Sequence, residues 1–100
     1  MYSNKDPMQI LVDSADGLIK ERGRKGIDCT FAEARREVLH SEEMKPILRY
    51  FRSNTPQGRF AAIADYEIRH GAKTRKEAFM RAAKRIPDDA VRCDLAMRVS

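Results

Sequence analysis

Apolar residues recur every three or four positions over most of the chain, and no useful stretch alternates between apolar and polar side chains. The first pattern is typical of amphipathic helices, whereas alternation would indicate a strand with one buried face. Trp is absent and β-branched residues are sparse, which leaves little material for an all-β core. The pattern predicts an all-α fold, a compact bundle of four to six short helices in one domain that spans residues 1–100.

Helix starts can be located from capping residues. Asp6-Pro7 and Thr55-Pro56 each place a capping side chain directly before a proline, which is a common way to begin a helix. Thr30–Glu33 and Thr74–Glu77 each form a capping box, in which the threonine and the glutamate satisfy one another's backbone amides. A further helix is expected over Met44–Arg52 with its proline in the first turn, since proline inside a helix costs ~3 kcal/mol.

Helix ends are expected at glycine and proline. Gly23 and Gly71 are predicted left-handed stops of the first and fourth helices, and Pro87 ends the fifth. Asp88 or Asp89 then caps a short final helix. The predicted core-facing residues are Met8, Leu11, Ala15, Leu18, Phe31, Ala34, Val38, Leu39, Phe60, Ile63, Ala64, Ile68, Phe79, Ala82, Ala83, Ile86, Val91, Leu95 and Val99.

Charge is distributed unevenly along the chain. Residues 1–50 hold nine basic and nine acidic side chains, so the whole net charge of +5 comes from residues 51–100. Residues 52–85 alone hold nine basic side chains against three acidic ones, a local charge of +6. Such an asymmetry favours an anionic partner, either nucleic acid or an acidic protein or ribonucleoprotein surface.

The basic residues concentrate in residues 69–86. With Phe79 at the centre of the buried face of the fifth helix, its later cations are expected on the opposite, exposed side. Cations in the first turn of this helix are disfavoured by the helix dipole unless something anionic relieves them. The alternative is a solvated face stabilised by a Glu77–Arg81 pair. The candidate binding residues are Arg69, Lys73, Arg75, Lys76, Arg81, Lys84 and Arg85.

Residues 60–86 contain a glycine at position 71, where a helix-turn-helix motif often has its turn glycine. Alignment of the chain with this motif places Glu67 and Glu77 at positions where small or apolar residues normally pack. Sequence-specific recognition of DNA bases in the groove therefore has little support. Glu67 falls near the apolar stripe of the fourth helix, and we expect it to pair with His70 or with a basic neighbour.

Sites for catalysis, metal or cofactor are not predicted. Cys29, His40, His70 and Cys93 lack the short spacing of a structural zinc site. Residues 23–26 (GRKG) lack the longer glycine spacing and the Lys-Ser/Thr of a phosphate-binding loop. No nucleophile stands in a recognisable catalytic order, so we expect a non-enzymatic protein that needs no cofactor.

The compartment and assembly follow from composition. The longest apolar run, residues 60–64, is far shorter than the ~20 residues that span a bilayer, and the first nine residues lack the layout of a signal peptide. Two cysteines with no export signal favour the reducing cytoplasm, with no membrane partner. Short helices with alanine-rich stripes bury limited area, so a homodimer that completes the core is credible.

The stretch CTFAEARREVL, Cys29 to Leu39, resembles a segment of phage and prophage proteins, in which an aromatic-x-Glu-Ala helix ends in Val-Leu before a short polar turn and a second helix. The resemblance covers about a tenth of the chain. It departs after Leu39, where Ser41-Glu42-Glu43 replaces an Asn/Pro-containing turn. It implies a small accessory protein of a mobile element, acting in the host cytoplasm. Among these, anti-CRISPR inhibitors are similar in length and in lacking enzymatic motifs.

The sequence therefore predicts one of two functions. The first is non-enzymatic binding of nucleic acid or an acidic protein through the basic surface of the carboxyl-terminal half. The alternative is a phage or mobile-element inhibitor that binds a host nuclease or effector complex. In that case the contact surface would include exposed aromatic residues and lie elsewhere, and the positive charge would argue against mimicry of DNA.

Overall fold

The chain forms six α-helices in a computed structural model that describes residues 5–99, with side chains described as far as Leu95. The predicted all-α bundle of short helices is confirmed, and no strand occurs within residues 5–99. None of these helices is long and apolar enough to cross a bilayer. The helices are α1 (Pro7–Arg24), α2 (Phe31–Leu39), α3 (Lys45–Arg52), α4 (Pro56–Arg69), α5 (Arg75–Arg85) and α6 (Pro87–Val99).

Helix α4 is the centre of the packing, since α3, α5 and α6 all lie against it. Helices α1 and α2 pack on one another and meet the rest of the bundle mainly through α3. The molecule measures 54 × 28 × 19 Å, and its radius of gyration of 15.1 Å exceeds the ~13 Å of a near-spherical domain of this length. The bundle is therefore elongated, which leaves more helix surface in contact with solvent.

The predicted helix starts are confirmed. In each case the capping side chain accepts a hydrogen bond from the backbone N–H three residues later, at 2.8–3.2 Å. The proline of α3 lies in its first turn, as expected. The four capping residues are Asp6, Thr30, Thr55 and Thr74.

Two helix boundaries differ from the prediction. Gly23 does not stop α1, which continues to Arg24, and the positive φ of 75° occurs at Gly26 instead. Asp88 and Asp89 lie in the first turn of α6 rather than before it, because the helix already begins at its proline. The predicted stop at Gly71 is confirmed, with a φ of 112°.

The core is built largely from small side chains. Ala78 and Ala82 of α5 are fully buried beside Ile63 of α4, and Ile47 of α3 is equally inaccessible. Alanine at a helix interface lets two helix backbones approach closely, and Ala78 and Ala82 serve this purpose where α5 packs on α4. A separate buried group, which includes Ala15 and Ala34, lies on α1 and α2.

Some predicted core positions are wrong. Because α5 turns Ala78 and Ala82 inward, Phe79 moves to the edge of the interface and stacks on Phe60 with ring centroids 5.5 Å apart. Over residues 87–95 of α6 the buried position is Asp89, whereas Val91 and Leu95 face outward. The predicted core residues that are at least 40% exposed are Met8, Phe31, Ile68, Phe79, Val91 and Leu95. The side chain of Val99 lies outside the described residues.

Candidate basic binding surface

The seven predicted binding residues divide into two groups. Lys73, Arg75, Lys76 and Lys84 are exposed. The three others form ion pairs or hydrogen bonds with carboxylates and backbone carbonyls of the protein. Those three are Arg69, Arg81 and Arg85.

Arg85 is not on the exposed face where the helical periodicity placed it. Its side chain is 8% exposed and its Nε–H donates to the carboxylate of Glu67, which is 1% exposed. A second guanidinium N–H donates to the backbone carbonyl of Lys5 at 2.8 Å, and the guanidinium lies 5.5 Å from the ring centroid of Tyr66. Arg85 is therefore a structural residue that joins α5 to α4 and to the start of the chain.

Arg81 extends the same set of contacts toward the surface. Its guanidinium lies 2.7 Å from Glu77 Oε1 and 3.9 Å from Glu67 Oε2. Glu77 also accepts the backbone N–H of Lys73 at 3.0 Å, in place of the predicted return bond to the capping threonine. The predicted Glu77–Arg81 pair is confirmed, and the predicted free exposure of Arg81 is wrong.

The prediction that Glu67 pairs with a basic residue is confirmed. Its partners are arginines of α5 rather than His70. His70 instead places Nδ1 2.8 Å from the carbonyl oxygen of Tyr66 and stacks on that ring with centroids 4.0 Å apart. Burial raises the pKa of the Tyr66 phenol, and the nearby guanidinium of Arg85 acts in the opposite direction. The α4–α5 seam is thus charged, buried and internally paired.

Arg69, at the end of α4, is partly engaged. Its Nη1 donates to the carbonyl of Glu42 at 2.7 Å, and its Nε lies 3.6 Å from Asp65. Asp65 also receives Arg49 of α3 at 2.5 Å. Arg69 ties the loop before α3 to α4, which reduces the charge that it can offer to a ligand.

The exposed cations lie on and just before the outer side of α5. Lys76, Met80 and Lys84 follow one another at intervals of four residues and form one solvent-facing stripe. The ammonium and guanidinium groups of this set form no ion pair with any residue that the structure describes. We call this set the outer basic face, and it comprises Lys73, Arg75, Lys76 and Lys84.

A second basic cluster was missed by the sequence reasoning. Arg35 and Arg36 of α2, with His40 directly after that helix, face Arg52 of α3 across a groove of about 350 Å³. Sequence reasoning overlooked it because the arginines of α2 are balanced by neighbouring glutamates when charges are summed along the chain. We call this feature the α2–α3 groove, and its apolar lining is Ala32, Leu39 and Leu48.

A cavity of about 420 Å³ opens between the start of α1, helix α3 and the α5–α6 turn. Two of its acids have structural partners, since Asp6 caps α1 and Asp89 lies 3.4 Å from Arg59. Burial raises the pKa of Tyr50, which also lines it. Asp6 and Asp89 therefore serve helix capping and helix packing.

Side chains able to bind a metal ion are dispersed over residues 5–99. Over residues 5–99, no three His, Cys, Asp or Glu side chains converge in a way that would hold a metal ion. Cys29 and Cys93 are free thiols in half-buried positions, and Cys29 Sγ accepts from Arg22 at 3.6 Å. Arg22 in turn pairs with Glu37 at 2.5 Å, which joins α1 to α2.

Comparisons of this chain with protein-family models, with curated proteins and with solved structures find no match. The function is therefore inferred from the chemistry of these surfaces alone.

Proposed function

We propose that this protein binds the phosphate backbone of nucleic acid through the outer basic face, without a catalytic step. The observation that carries the proposal is the set of exposed cations on and before α5 that lack an ion-pair partner among the described residues. Positively charged groups of this kind attract a polyanion because binding releases the counterions that nucleic acid condenses.

The contrast within one segment supports this assignment. Arg81 and Arg85 are paired with buried or half-buried carboxylates, so the fold uses their charge. The charge of Lys76 and Lys84 is not used in this way, and their Cα atoms lie about 12 Å apart along the helix axis, on one side. Two cations at that separation are able to contact different phosphates.

The same geometry favours binding without sequence preference. Three of the four residues in the outer basic face, Lys73, Lys76 and Lys84, are flexible and bind phosphate as point charges. The seam that a helix-turn-helix would pack with small residues holds the buried Glu67 instead. Contacts limited to phosphates fix position on the nucleic acid without reading bases.

A salt titration tests the proposal. Fluorescence anisotropy of labelled duplex DNA, single-stranded DNA and RNA is measured over a series of salt concentrations. With four cations on phosphates, the logarithm of the binding constant for duplex should fall with a slope near −3 to −4 against the logarithm of salt, at about −0.9 per phosphate. The double variant Lys76→Glu/Lys84→Glu should abolish most of this binding.

A matched control separates the surface from the net charge. Lys20→Glu/Arg24→Glu makes the same change in charge on the exposed side of α1 and should weaken binding by much less. Both variants should unfold at the same urea concentration as the parent protein, because all four positions are exposed. Undetectable binding at low salt, or equal loss in both double variants, would overturn the proposal.

A second candidate is the protein inhibitor of a host nuclease or effector complex. Phe79 and Met80, adjacent on α5, are 40% and 57% exposed and lie beside the outer basic face. Aromatic residues and Met are enriched at protein interfaces, where they form the apolar centre of a charged patch. This function is favoured if nucleic acid binding is absent and Phe79→Ala or Met80→Ala abolishes inhibition of a nuclease without loss of stability.

A further inference from the structure

The α2–α3 groove has a lining in which all the ionisable groups are basic. Arg35 and Arg36 of α2 and Arg52 of α3 stand around it with His40, and neither Asp nor Glu lines it. None of the three arginines forms an ion pair within residues 5–99. Three arginines that join helices elsewhere in the fold have carboxylate partners: Arg22 pairs with Glu37, Arg49 with Asp65 and Arg85 with Glu67. The groove therefore carries concentrated positive charge that the fold leaves uncompensated.

The use of arginine narrows the chemistry of the occupant. A guanidinium presents a planar fork of N–H donors that matches a carboxylate or a phosphate with two parallel hydrogen bonds. Several such groups around one concavity favour an occupant with more than one anionic group. Phosphates and carboxylates both meet this requirement, so the floor of the groove has to distinguish between them.

The floor is aliphatic. Leu39 and Leu48 are half-buried whereas the arginines of the lining are exposed, so the leucines form the floor, and no Phe, Tyr or Trp lines the groove. Single-stranded nucleic acid binds on aromatic platforms where bases stack, and duplex phosphates make no use of leucine. An aliphatic side chain of a ligand would bury the exposed parts of these leucines. The floor therefore favours a peptide over a nucleic acid.

We propose that the α2–α3 groove binds an acidic segment of a partner protein that carries Leu or Ile between Asp or Glu residues. An amphipathic segment of this kind places its aliphatic side chains on the floor and its carboxylates on the arginine rim, as in helix-in-groove recognition. The groove is separate from the outer basic face in its residues and in its ligand. This inference therefore goes beyond the proposed nucleic acid function and does not depend on it.

The test uses three labelled helical peptides and the full-length protein. The first carries Leu at two positions four residues apart with Glu on either side, the second replaces Glu with Gln, and the third replaces Leu with Ala. Anisotropy titrations should show saturable binding of the first peptide, and each of the other two should bind about tenfold more weakly or worse. Binding of the first and third peptides with equal affinity would overturn the proposal, since it would indicate charge attraction alone.

Matched protein variants locate the site. Arg35→Glu/Arg52→Glu should weaken binding of the first peptide about tenfold or more, whereas Lys76→Glu/Lys84→Glu makes the same charge change and should alter it less than about twofold. The substituted side chains are all exposed, and urea unfolding checks that each variant is folded. Leu48→Ser provides an uncharged variant that should also weaken binding.

Three other outcomes would overturn the proposal. Failure of the first peptide to reach saturable binding means that the groove does not recognise this class of segment. Displacement of the peptide by single-stranded RNA, with loss of RNA binding in Arg35→Glu/Arg52→Glu, identifies nucleic acid as the occupant. A change from dimer to monomer in that variant, measured by light scattering, identifies a second copy of this chain.

Discussion

Arg85 of α5 donates its Nε–H to the carboxylate of Glu67 in α4, in a seam where less than a tenth of either side chain is exposed. Arg81 reaches the other oxygen of the same carboxylate, and Lys5 supplies a carbonyl to Arg85. Two charged groups have left water here and are compensated by one another and by these neighbours. The seam is therefore sensitive to the loss of either partner.

Removal of one partner should strongly destabilise the fold. Glu67→Ala leaves the Arg85 guanidinium buried without its carboxylate, and Arg85→Ala leaves the carboxylate buried in turn. We expect either change to lower the free energy of unfolding by about 3–5 kcal/mol, measured by urea denaturation. Lys84→Ala, one position away on the solvent side of the same helix, should change it by less than about 0.5 kcal/mol.

Simultaneous replacement of both charges should be far less harmful. Glu67→Leu/Arg85→Met removes the need to desolvate ions and keeps most of the buried volume, so we expect stability within about 1–2 kcal/mol of the parent protein. If the midpoint shift of this double variant equalled the sum of the shifts of Glu67→Leu and Arg85→Met measured singly, the two side chains would not act as a pair.

The position of Arg85 shows where helical periodicity fails. The pattern of α5 offers Phe79, Ala82, Ala83 and Ile86 as a stripe, and the largest residue is the natural choice for its centre. The folded helix is rotated by about 60° from that choice, toward Ala78 and Ala82. Alanine contributes little to a hydrophobic pattern, yet its small size permits the close approach that decides the interface.

Local chemistry was predictable and non-local chemistry was not. Helix starts follow from side chains that bond to the backbone three residues away, so Thr55 and Thr74 could be assigned from sequence alone. The outer basic face was also found because most of its residues are close in sequence. The α2–α3 groove joins Arg35 to Arg52 across a helix pair. No charge count along the chain brings such residues together.

Two glycines should respond in opposite ways to alanine. A methyl group at Gly17, within α1, would have no atom within 4 Å. Gly17→Ala should therefore raise the free energy of unfolding by about 0.5–1 kcal/mol, because alanine is the better helix former. Thermal unfolding followed by circular dichroism measures the change.

A methyl group at Gly58 would overlap Ser53 Oγ and lie 2.9 Å from Thr55 Oγ1, the atom that caps α4. Gly58→Ala should disturb this cap, which contributes about 0.5–2 kcal/mol to stability. This loss should offset the gain from the higher helix propensity of alanine. We expect a lower melting temperature than the parent protein and partial recovery in Gly58→Ala/Ser53→Ala. An increase equal to that of Gly17→Ala would contradict this account.

Alkaline pH should destabilise the fold through its buried tyrosines. Burial raises the pKa of Tyr66 above its ordinary value near 10, so the folded state holds the phenolic proton more tightly than the unfolded state. The contribution of Tyr66 to the free energy of unfolding is complete below its pKa in the unfolded state. It is lost as the pH rises through its pKa in the folded state. Urea midpoints measured from pH 8 to about pH 11 should fall over the upper part of this range.

The variant Tyr66→Phe isolates this titration. It lacks the phenol while keeping the ring that stacks on His70, so its urea midpoint should fall less steeply with pH than that of the parent protein. The other side chains are the same in both proteins, so their contribution cancels in the comparison. Parallel pH profiles for the two proteins would show that ionisation of Tyr66 is not coupled to folding.

Two glutamates at equivalent helix positions should differ in their contribution to the free energy of unfolding. Glu77, at the third position of α5, accepts the Lys73 backbone N–H at 3.0 Å and pairs with Arg81 at 2.7 Å. Glu33, at the third position of α2, makes neither kind of side-chain contact within residues 5–99. Glu77→Ala should lower the free energy of unfolding by about 1–2 kcal/mol, and Glu33→Ala by no more than about 0.5 kcal/mol.

The same pair of variants reports on the outer basic face. Glu77→Ala removes the acid nearest in sequence to Lys76, so nucleic acid affinity at low salt should rise about twofold or more, provided that α5 stays folded. Glu33→Ala makes the same charge change on α2 and should leave that affinity nearly unchanged. Equal increases in both variants would mean that net charge, rather than the cations around the start of α5, governs binding.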